Sequence, residues 1–541
     1  MIPDSNDKDA KVRNEMDERN IREWIHRKMP ELTETLKTIC RVRSVAETEN
    51  PSCKPYGEGC KKVLRDMLTI GREAGFSTEN FEDYVGRISY PGKQEENIAI
   101  WAHLDVVDEG KDWDYAPYDP IVKDGYFIAR GCQDNKSSAV MGLYVLKYMK
   151  EHEISLNHTL DLYLGTCEEQ GMYDLDHFTA HHPCPALSLV PDSGFPVCCG
   201  ERGSFNGELI QREPVSSELL DITCDCGQYT VPDNACAVLR YTEERWAKCT
   251  AHLIGGSETD MKAVRINDNA AIGTSETANE RTDPDSRNAK HYHENIETIR
   301  KGDEIHIRAK GISTQAANPD KGDSALSRLA EFVCGLELLP ESDLRTFALA
   351  GDINRDHNGD ALNVFCEDTL SGPMVMVATQ LSLRQRSDGN KIPVLGFISK
   401  FPITQNEVPY EELAGKAAAK RGFDLKVSRL SKANYFDPER PVVKCLTQCS
   451  NEVLDRQDEP FVMSGGTYAR KLPNALAFGT GMPLPDRPES LFRPGHGDYH
   501  QPDESISLER ISRALEIYIK GILRIDELDI SASSDLDAGT A

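Results

Sequence analysis

The sequence lacks long apolar runs: in its 541 residues, no window approaches the roughly 18 uninterrupted apolar residues that a membrane-spanning helix needs. It is also poor in positive charge, since 62 lysine and arginine residues stand against 89 aspartate and glutamate residues, a formal net charge of −27. Such a negative field repels nucleic-acid phosphates and anionic lipid headgroups. We therefore predict a large soluble protein that binds neither nucleic acid nor membranes.

A secretory signal and a dense disulfide framework are missing as well. The first 20 residues are polar and charged, without an apolar core before a small-residue cleavage site. The 16 cysteines are scattered, which is typical of reduced cytosolic thiols. The pairs Cys198-Cys199 and Cys224-Cys226 would supply half of a zinc site, but no second pair follows at zinc-finger spacing. The predicted location is the cytoplasm.

Apolar strands alternate with amphipathic helices in the first 200 residues. The apolar side chains of residues 19–40 fall on one helical stripe, and further helices are predicted around 60–74 and over 137–151. Apolar runs that predict strands cover residues 96–107, 158–169 and 186–194. This alternation is typical of an α/β domain whose sheet has parallel character.

The pattern changes after about residue 201, where alternating strand-like pieces indicate a half-exposed antiparallel sheet. Strands are predicted over 203–210, 249–256, 303–311, 375–388 and 394–403, and helices over 324–339 and 410–423. Residues 257–300 are rich in Asn, Asp, Glu, Thr and Ser and are predicted to form a solvated loop or insertion. The chain is expected to return to the first domain near residue 435.

Imidazole and carboxylate side chains follow the ends of the predicted core strands. They are His103, Asp105, Asp134, Glu168, Glu169, Asp192 and His500. Ligands of open α/β sheets gather outside the carboxyl ends of the strands. A mixture of imidazole nitrogen and carboxylate oxygen suits zinc or manganese. Taken singly, each residue also fits an ordinary polar strand end or a solvated loop.

Ordered motifs add a family resemblance. The stretch HLDVVDEGKDWDYAPYDPIVKDGYFIARGCQDNK resembles the motif of the dinuclear-metal peptidase family that contains peptidase V-type dipeptidases, carnosinase, aminoacylase and acetylornithine deacetylase. The resemblance continues in order through GTCEEQG, PDSGFP, GISTQAANPDKGDSAL, SGGTYARKLPNALAFG and GHGDYHQPDES. The last two motifs are most similar to the dipeptidase branch.

The resemblance implies an α/β catalytic domain with a mixed, mainly parallel sheet flanked by helices, interrupted by an inserted α+β lid domain. The implied catalytic parts are residues 1–200 and 435–525, and the implied lid is residues 201–434. In the dipeptidase branch the lid has two pseudo-symmetric halves that mimic a dimer interface, so we expect a monomer. Residues 526–541 are acidic and rich in small residues and are predicted to form a disordered tail.

The same resemblance implies two divalent metal ions, with zinc as the expected ion and manganese or cobalt as alternatives. His103 and Asp192 are then the ligands of one ion, Glu169 and His500 are those of the other, and Asp134 bridges the two.

Two further residues receive roles from the resemblance. Asp105 orients the His103 imidazole by a hydrogen bond that fixes its tautomer. Glu168 is the general base for a water between the paired ions, which lower the pKa of that water and polarise the scissile carbonyl.

The chain departs from the family at three positions. Gln315 stands where a lid histidine usually donates to the developing oxyanion, a role for which His291 or His293 would be a substitute. Lys400 stands where an arginine usually grips the terminal carboxylate of the substrate, so a point charge replaces a bidentate fork. Asn135 replaces the usual second aspartate after the bridging residue.

Tyr468 and Arg470 follow the glycines of SGGTYARKL and are predicted to line the substrate pocket beside the metals. The alternative is a turn whose glycines allow tight backbone geometry.

These features predict a cytoplasmic metallopeptidase that cleaves dipeptides or short peptides. A deacylase of N-acyl amino acids is the alternative enzyme, since it uses the same metals and water. A metal-binding homologue with weakened turnover is a third hypothesis. Gln315 and Lys400 would weaken the contacts with substrate, while the implied metal ligands are all present.

Overall fold

A computed structural model describes residues 5–49, 53–224, 230–254, 271–272, 295–483 and 487–530. It divides the chain into two compact units, with boundaries between Glu201 and Arg202 and between Ala433 and Asn434. The second unit is therefore inserted between two segments of the first. Most of the predicted loop at 257–300 lies outside the described residues, as do Cys226, His291 and His293. The predicted end of this loop is too late, because residues 296–300 belong to a strand.

The first segment of the first unit alternates helices and strands. The helices are α1 (Ser5–Cys40), α2 (Glu58–Glu73), α3 (Lys136–Glu151) and α4 (Tyr173–His181). The strands are β1 (Ser77–Phe81), β2 (Val85–Tyr90), β3 (Gln94–His103), β4 (Ile121–Lys123), β5 (Tyr126–Ile128), β6 (His158–Gly165), β7 (Leu187–Val190), β8 (Ser193–Gly194) and β9 (Cys198–Glu201). The predicted helices and strands of this segment are present.

The second unit contains an antiparallel sheet covered by helices. Its strands are β10 (Gly203–Gln211), β11 (Leu219–Cys224), β12 (Asn234–Arg240), β13 (Ala271–Ile272), β14 (Ile296–Lys301), β15 (Glu304–Lys310), β16 (Glu367–Asp368), β17 (Gly372–Pro373), β18 (Val375–Gln385), β19 (Lys391–Phe401) and β20 (Phe423–Ser431). Its helices are α5 (Glu243–Ile254), α6 (Ala325–Gly335), α7 (Glu341–Asp356) and α8 (Tyr410–Lys420). The main sheet has the order β13-β14-β15-β12-β11-β18-β19-β10-β20.

One prediction in this unit is wrong. The run 249–256 was predicted as a strand, but its described residues belong to helix α5. Trp246, Cys249 and Leu253 are buried three and four positions apart, which is the spacing of one helical face. The short apolar run does not by itself distinguish a strand from the end of a buried helix.

The second segment of the first unit returns to the same sheet. Its elements are β21 (Asn434–Tyr435), α9 (Pro441–Leu454), β22 (Phe461–Met463), β23 (Ala475–Ala477), β24 (Thr480–Gly481), β25 (Ser505–Ser507) and α10 (Leu508–Ile525). The predicted disordered tail begins too early at 526, because Asp526 and Ile530 are buried in the unit. Residues 531–541 lie outside the described part.

The sheet of the first unit is mixed, with the strand order β1-β2-β6-β3-β7-β23-β9-β21. The central pairs β6-β3, β3-β7 and β7-β23 are parallel, and the other pairs in this order are antiparallel; β22 lies off this path and pairs with β9 in parallel. Ile98 and Ile100 of β3 join the core formed with α1, α3 and α10, and Trp101 joins the core with α4 on the opposite face. The sheet is thus buried on both faces, as parallel strands require, and the predicted α/β fold class is confirmed.

Within the described ranges, no helix combines the length and the apolar character needed to cross a bilayer.

Candidate metal centre

The three central strands of the first unit bring polar residues to one edge of the sheet. His103 is the last residue of β3, Glu168 and Glu169 follow β6, and Asp192 follows β7. Because these strands are parallel neighbours, their carboxyl ends lie side by side. Asp134 joins them from the loop before α3, and His500 from the loop between β24 and β25.

The carboxylate of Asp134 lies between two imidazoles. Its Oδ1 atom is 2.9 Å from Nε2 of His103, and its Oδ2 atom is 3.3 Å from Nε2 of His500. The His500 Nε2 atom is also 3.1 Å from Oε1 of Glu169. On the other side, Oδ2 of Asp192 lies 3.8 Å from Nε2 of His103. Each oxygen of Asp134 therefore faces a different histidine, the arrangement expected of a carboxylate shared by two ions.

The orientation of His103 is fixed by Asp105. The Nδ1 atom of His103 lies 3.0 Å from the backbone oxygen of Asp105 and 3.4 Å from its Oδ1 atom. Because a backbone oxygen only accepts hydrogen bonds, Nδ1 carries a proton and Nε2 is directed towards the cluster. The nearer acceptor is the backbone oxygen, and the orienting role that the family resemblance implied for the Asp105 carboxylate stays a prediction.

Asp105 has a second set of contacts that sequence reasoning missed. Its Oδ1 and Oδ2 atoms accept hydrogen bonds of 3.0 Å from the backbone N–H groups of Glu168 and Glu169, respectively. One fully buried carboxylate thus ties the end of β3 to the residues that follow β6. The only sequence feature that pointed to Asp105 was its position two residues after His103.

Asn135, the replacement for the usual aspartate, contacts a predicted ligand. Its side-chain amide donates to the backbone oxygen of Pro191 at 2.8 Å and to Oδ1 of Asp192 at 3.1 Å. An ionised aspartate cannot donate either hydrogen bond. The replacement was visible in the sequence, but its partner was not.

Repulsion among buried carboxylates shapes the electrostatics of the cluster. Burial, together with neighbouring negative charges, raises the pKa of Glu168 well above its usual range and also raises that of Glu169. Burial, with the charge of Asp134 nearby, raises the pKa of Asp192 to about 7. The protein alone therefore does not stabilise the full negative charge of these carboxylates.

The two imidazoles respond in the opposite sense. Burial alone would lower the pKa of His500, but hydrogen bonds to Asp134 and Glu169 raise it to about 11. Asp105 and Asp134 likewise hold the pKa of His103 well above its usual value against the effect of burial. Burial acts to raise the pKa of Asp134, but the two imidazoles lower it.

The donor set fits divalent cations. Of three groups of described side chains whose candidate ligand atoms lie within 4.8 Å of one another, two belong to this cluster, namely His103 with Glu168 and Asp192, and His103 with Asp134 and Glu169. Imidazole nitrogen and carboxylate oxygen are ligands of zinc and manganese. A bound cation would also reduce the repulsion between the carboxylates. Without a cation, protonation of the carboxylates reduces this repulsion.

Tyr468 and Arg470 lie in the same unit and contact buried acids. The Tyr468 hydroxyl donates to Asp174, whose Oδ2 atom also accepts hydrogen bonds from the backbone N–H groups at positions 166 and 167. Arg470 pairs with Glu201 at 3.4 Å, and both side chains are buried. Tyr468 thus helps to hold the loop that carries Glu168, in addition to the substrate contact predicted for it.

Replacing Tyr468 with phenylalanine is expected to lower the free energy of unfolding by about 1–3 kcal/mol, because the buried Asp174 carboxylate loses a donor. Urea denaturation of Y468F and the wild type measures this change. Y173F is the matched control, since Tyr173 is 53% exposed and its substitution is expected to leave stability unchanged. Equal stability of Y468F and the wild type would contradict the role of this hydrogen bond.

The remaining two predicted substrate residues belong to the second unit. Gln315 is exposed and forms an isolated antiparallel bridge with Thr230. Lys400 lies on β19, and its Nζ atom donates to Oγ of Ser204 at 2.9 Å. Their predicted contacts with substrate stay predictions.

Comparison with known proteins identifies the family of the chain. The model of peptidase family M20/M25/M40 matches residues 99–524. The chain is 26% identical over 507 residues to a protein of Bacillus subtilis (strain 168) named "Putative dipeptidase YtjP", covering 92% of this chain and 98% of that protein.

Two solved structures share the fold at low sequence identity. The di-peptidase Dug1p of Saccharomyces cerevisiae matches with a TM-score of 0.52 at 10% identity, over 94% of this chain and 99% of that one. Human carnosine dipeptidase 1 matches with a TM-score of 0.50 at 12% identity, also over 94% and 99%. Because the family model covers most of the chain, the protein belongs to peptidase family M20/M25/M40, and the predictions of this family and of a peptide-bond hydrolase are confirmed.

Proposed function

We propose that the protein is a metal-dependent dipeptidase that hydrolyses the amide bond of dipeptides or short peptides. The observation that carries the proposal is the Asp134 carboxylate, whose two oxygens lie 2.9 and 3.3 Å from the Nε2 atoms of His103 and His500. Relatives with dipeptidase names that span nearly the whole chain support the choice of substrate.

The proposed ligand set follows the contacts in the cluster. His103 and Asp192 would hold one ion, Glu169 and His500 would hold the other, and Asp134 would contribute to both. Two divalent ions, with zinc favoured by the nitrogen and oxygen donors, would lower the pKa of a water and polarise the scissile carbonyl.

Glu168 is proposed as the general base. Its backbone is fixed by Asp105, and its carboxyl lies within 4.8 Å of candidate ligand atoms on His103 and Asp192. A carboxylate at this position can accept a proton from a water beside these atoms. In the proposed reaction, Glu168 takes a proton from the attacking water and delivers it to the nitrogen of the leaving amine.

The inserted unit is proposed to be the lid. Gln315 would then donate a neutral hydrogen bond to the oxyanion, and Lys400 would attract the terminal carboxylate of the substrate as a point charge. We expect looser recognition of that carboxylate than an arginine would give. A monomeric state, a lid of two pseudo-symmetric halves and a cytoplasmic location stay predictions.

Metal removal tests the proposed function. Treatment with a chelator is expected to abolish hydrolysis of a dipeptide panel, and addition of zinc, manganese or cobalt is expected to restore it, because the ions supply several kcal/mol of transition-state stabilisation. Release of amino acids is the measurement. N-acetyl amino acids assayed in parallel separate the dipeptidase from a deacylase, and absence of product with every ion would favour a metal-binding homologue without turnover.

A further inference from the structure

The two residues at the centre of the cluster come from distant parts of the chain. Asp134 lies in the loop before α3, while His500 lies on the segment that leads into β25. The His500 backbone has a φ of 60°, a left-handed conformation that non-glycine residues adopt rarely and that needs support from the surroundings. Close approach of the two side chains therefore requires a connection between their segments.

Glu504 provides this connection. Its Oε1 atom accepts hydrogen bonds from the backbone N–H groups of Gln133 at 2.9 Å and Asp134 at 3.1 Å. Its Oε2 atom accepts from Nη1 of Arg130 at 2.7 Å and from the backbone N–H of Gly131 at 3.0 Å. With 1% of its surface exposed, Glu504 uses both carboxylate oxygens to hold the loop that presents Asp134.

Backbone contacts attach the same two segments to each other. The backbone oxygen of Glu504 accepts a 3.0 Å hydrogen bond from Ala129, and β25 pairs with β5. The side-chain amide of Gln133 donates to Oδ1 of Asp498 at 3.1 Å, two residues before His500. The Glu504 carboxylate joins the two segments, and the buried Arg130 guanidinium stabilises its negative charge.

We infer that Glu504 is a positioning residue, which holds Asp134 at the distance from His500 that lets both side chains bind one ion. The inference rests on the proposed function, because it assigns Glu504 a role towards the proposed metal site. Glutamine at this position would have one acceptor oxygen instead of two. Its NH₂ group would face backbone N–H groups, and two donors cannot form a hydrogen bond with each other. The Asp134 loop would then lose hydrogen bonds that fix its backbone.

The test compares zinc binding by E504Q and D526N with that of the wild type. Asp526 is a buried acid whose oxygens accept hydrogen bonds from the backbone N–H groups of Asn157 and His158 at 2.7 and 2.8 Å. It supports the start of β6, at the opposite end of that strand from Glu168. D526N therefore controls for the loss of a buried carboxylate away from the cluster.

Zinc affinity is measured on full-length protein by competition with a chromophoric chelator. E504Q is expected to bind zinc about 10–100-fold more weakly than the wild type, the usual effect of losing a residue that orients a metal ligand. D526N is expected to keep wild-type zinc affinity.

Wild-type zinc affinity in E504Q, or an equal loss in D526N, would overturn the inference while leaving the proposed function intact. A wild-type protein that binds no zinc, manganese or cobalt would contradict the proposed function itself. If E504Q does not fold, E504D is the second variant, because it keeps the charge but shortens the side chain by one methylene. Weaker zinc binding by folded E504D supports the inference, and unchanged binding overturns it.

Discussion

Replacing Glu168 with glutamine is expected to lower kcat by about 10²–10⁴-fold while the zinc content stays at the wild-type level. Glutamine has nearly the same shape but cannot accept a proton from water. The backbone of residue 168 is held by Asp105 through its N–H group, so the loop does not depend on the Glu168 carboxyl. Steady-state kinetics on a dipeptide and elemental analysis of the same preparation measure the two quantities.

The neighbouring residue supplies the matched control. Glu169 follows in the same loop, and its backbone N–H donates to the other oxygen of Asp105. Its side chain, however, lies 3.1 Å from Nε2 of His500 and is a proposed ligand. E169Q is therefore expected to lose zinc, whereas E168Q retains it. Loss of zinc by E168Q to the same extent would show that Glu168 is a ligand and not the base.

Replacing Asp134 with asparagine is expected to have the largest effect of all. The variant should bind fewer than one zinc ion per chain, and turnover should fall by about 10³-fold or more, because several kcal/mol of metal-derived stabilisation are lost. The reason is geometric: the two oxygens of Asp134 face different histidines, and an amide offers one oxygen in their place. Zinc analysis and kcat of D134N measure both effects.

H500A serves as the comparison for D134N. His500 contacts the Asp134 and Glu169 side of the cluster, whereas His103 contacts the Asp134 and Asp192 side. H500A is expected to lose one ion and to keep the other. If D134N retains both ions, the shared role of Asp134 is wrong.

Much of this site is predictable from the sequence because strand ends are visible there. Apolar runs that end in His103, Glu168 or Asp192 mark buried strands, and parallel neighbours in a sheet bring such ends together. The order of the strands is not visible in these runs, since β6, β3 and β7 become neighbours only through tertiary packing.

The contacts that support the cluster are much harder to predict. Asn135 and Glu504 lie in loops and Asp174 lies in the first turn of α4, and the partners of their side chains described above lie from 7 to 374 positions away in the chain. Local sequence patterns carry no information about such partners. Helix α5 was missed for a related reason, because a short apolar run has the same composition in a strand and at a buried helix end.

The proposed pair of metal ions can be located by anomalous X-ray diffraction at the zinc absorption edge, on crystals of the zinc-loaded protein. We expect two anomalous peaks about 3.5–4 Å apart, the spacing typical of two-metal sites, with Asp134 between them. His103 and Asp192 should border one peak, and Glu169 and His500 the other. A single peak, or peaks remote from Asp134, would show that Asp134 does not bind two ions.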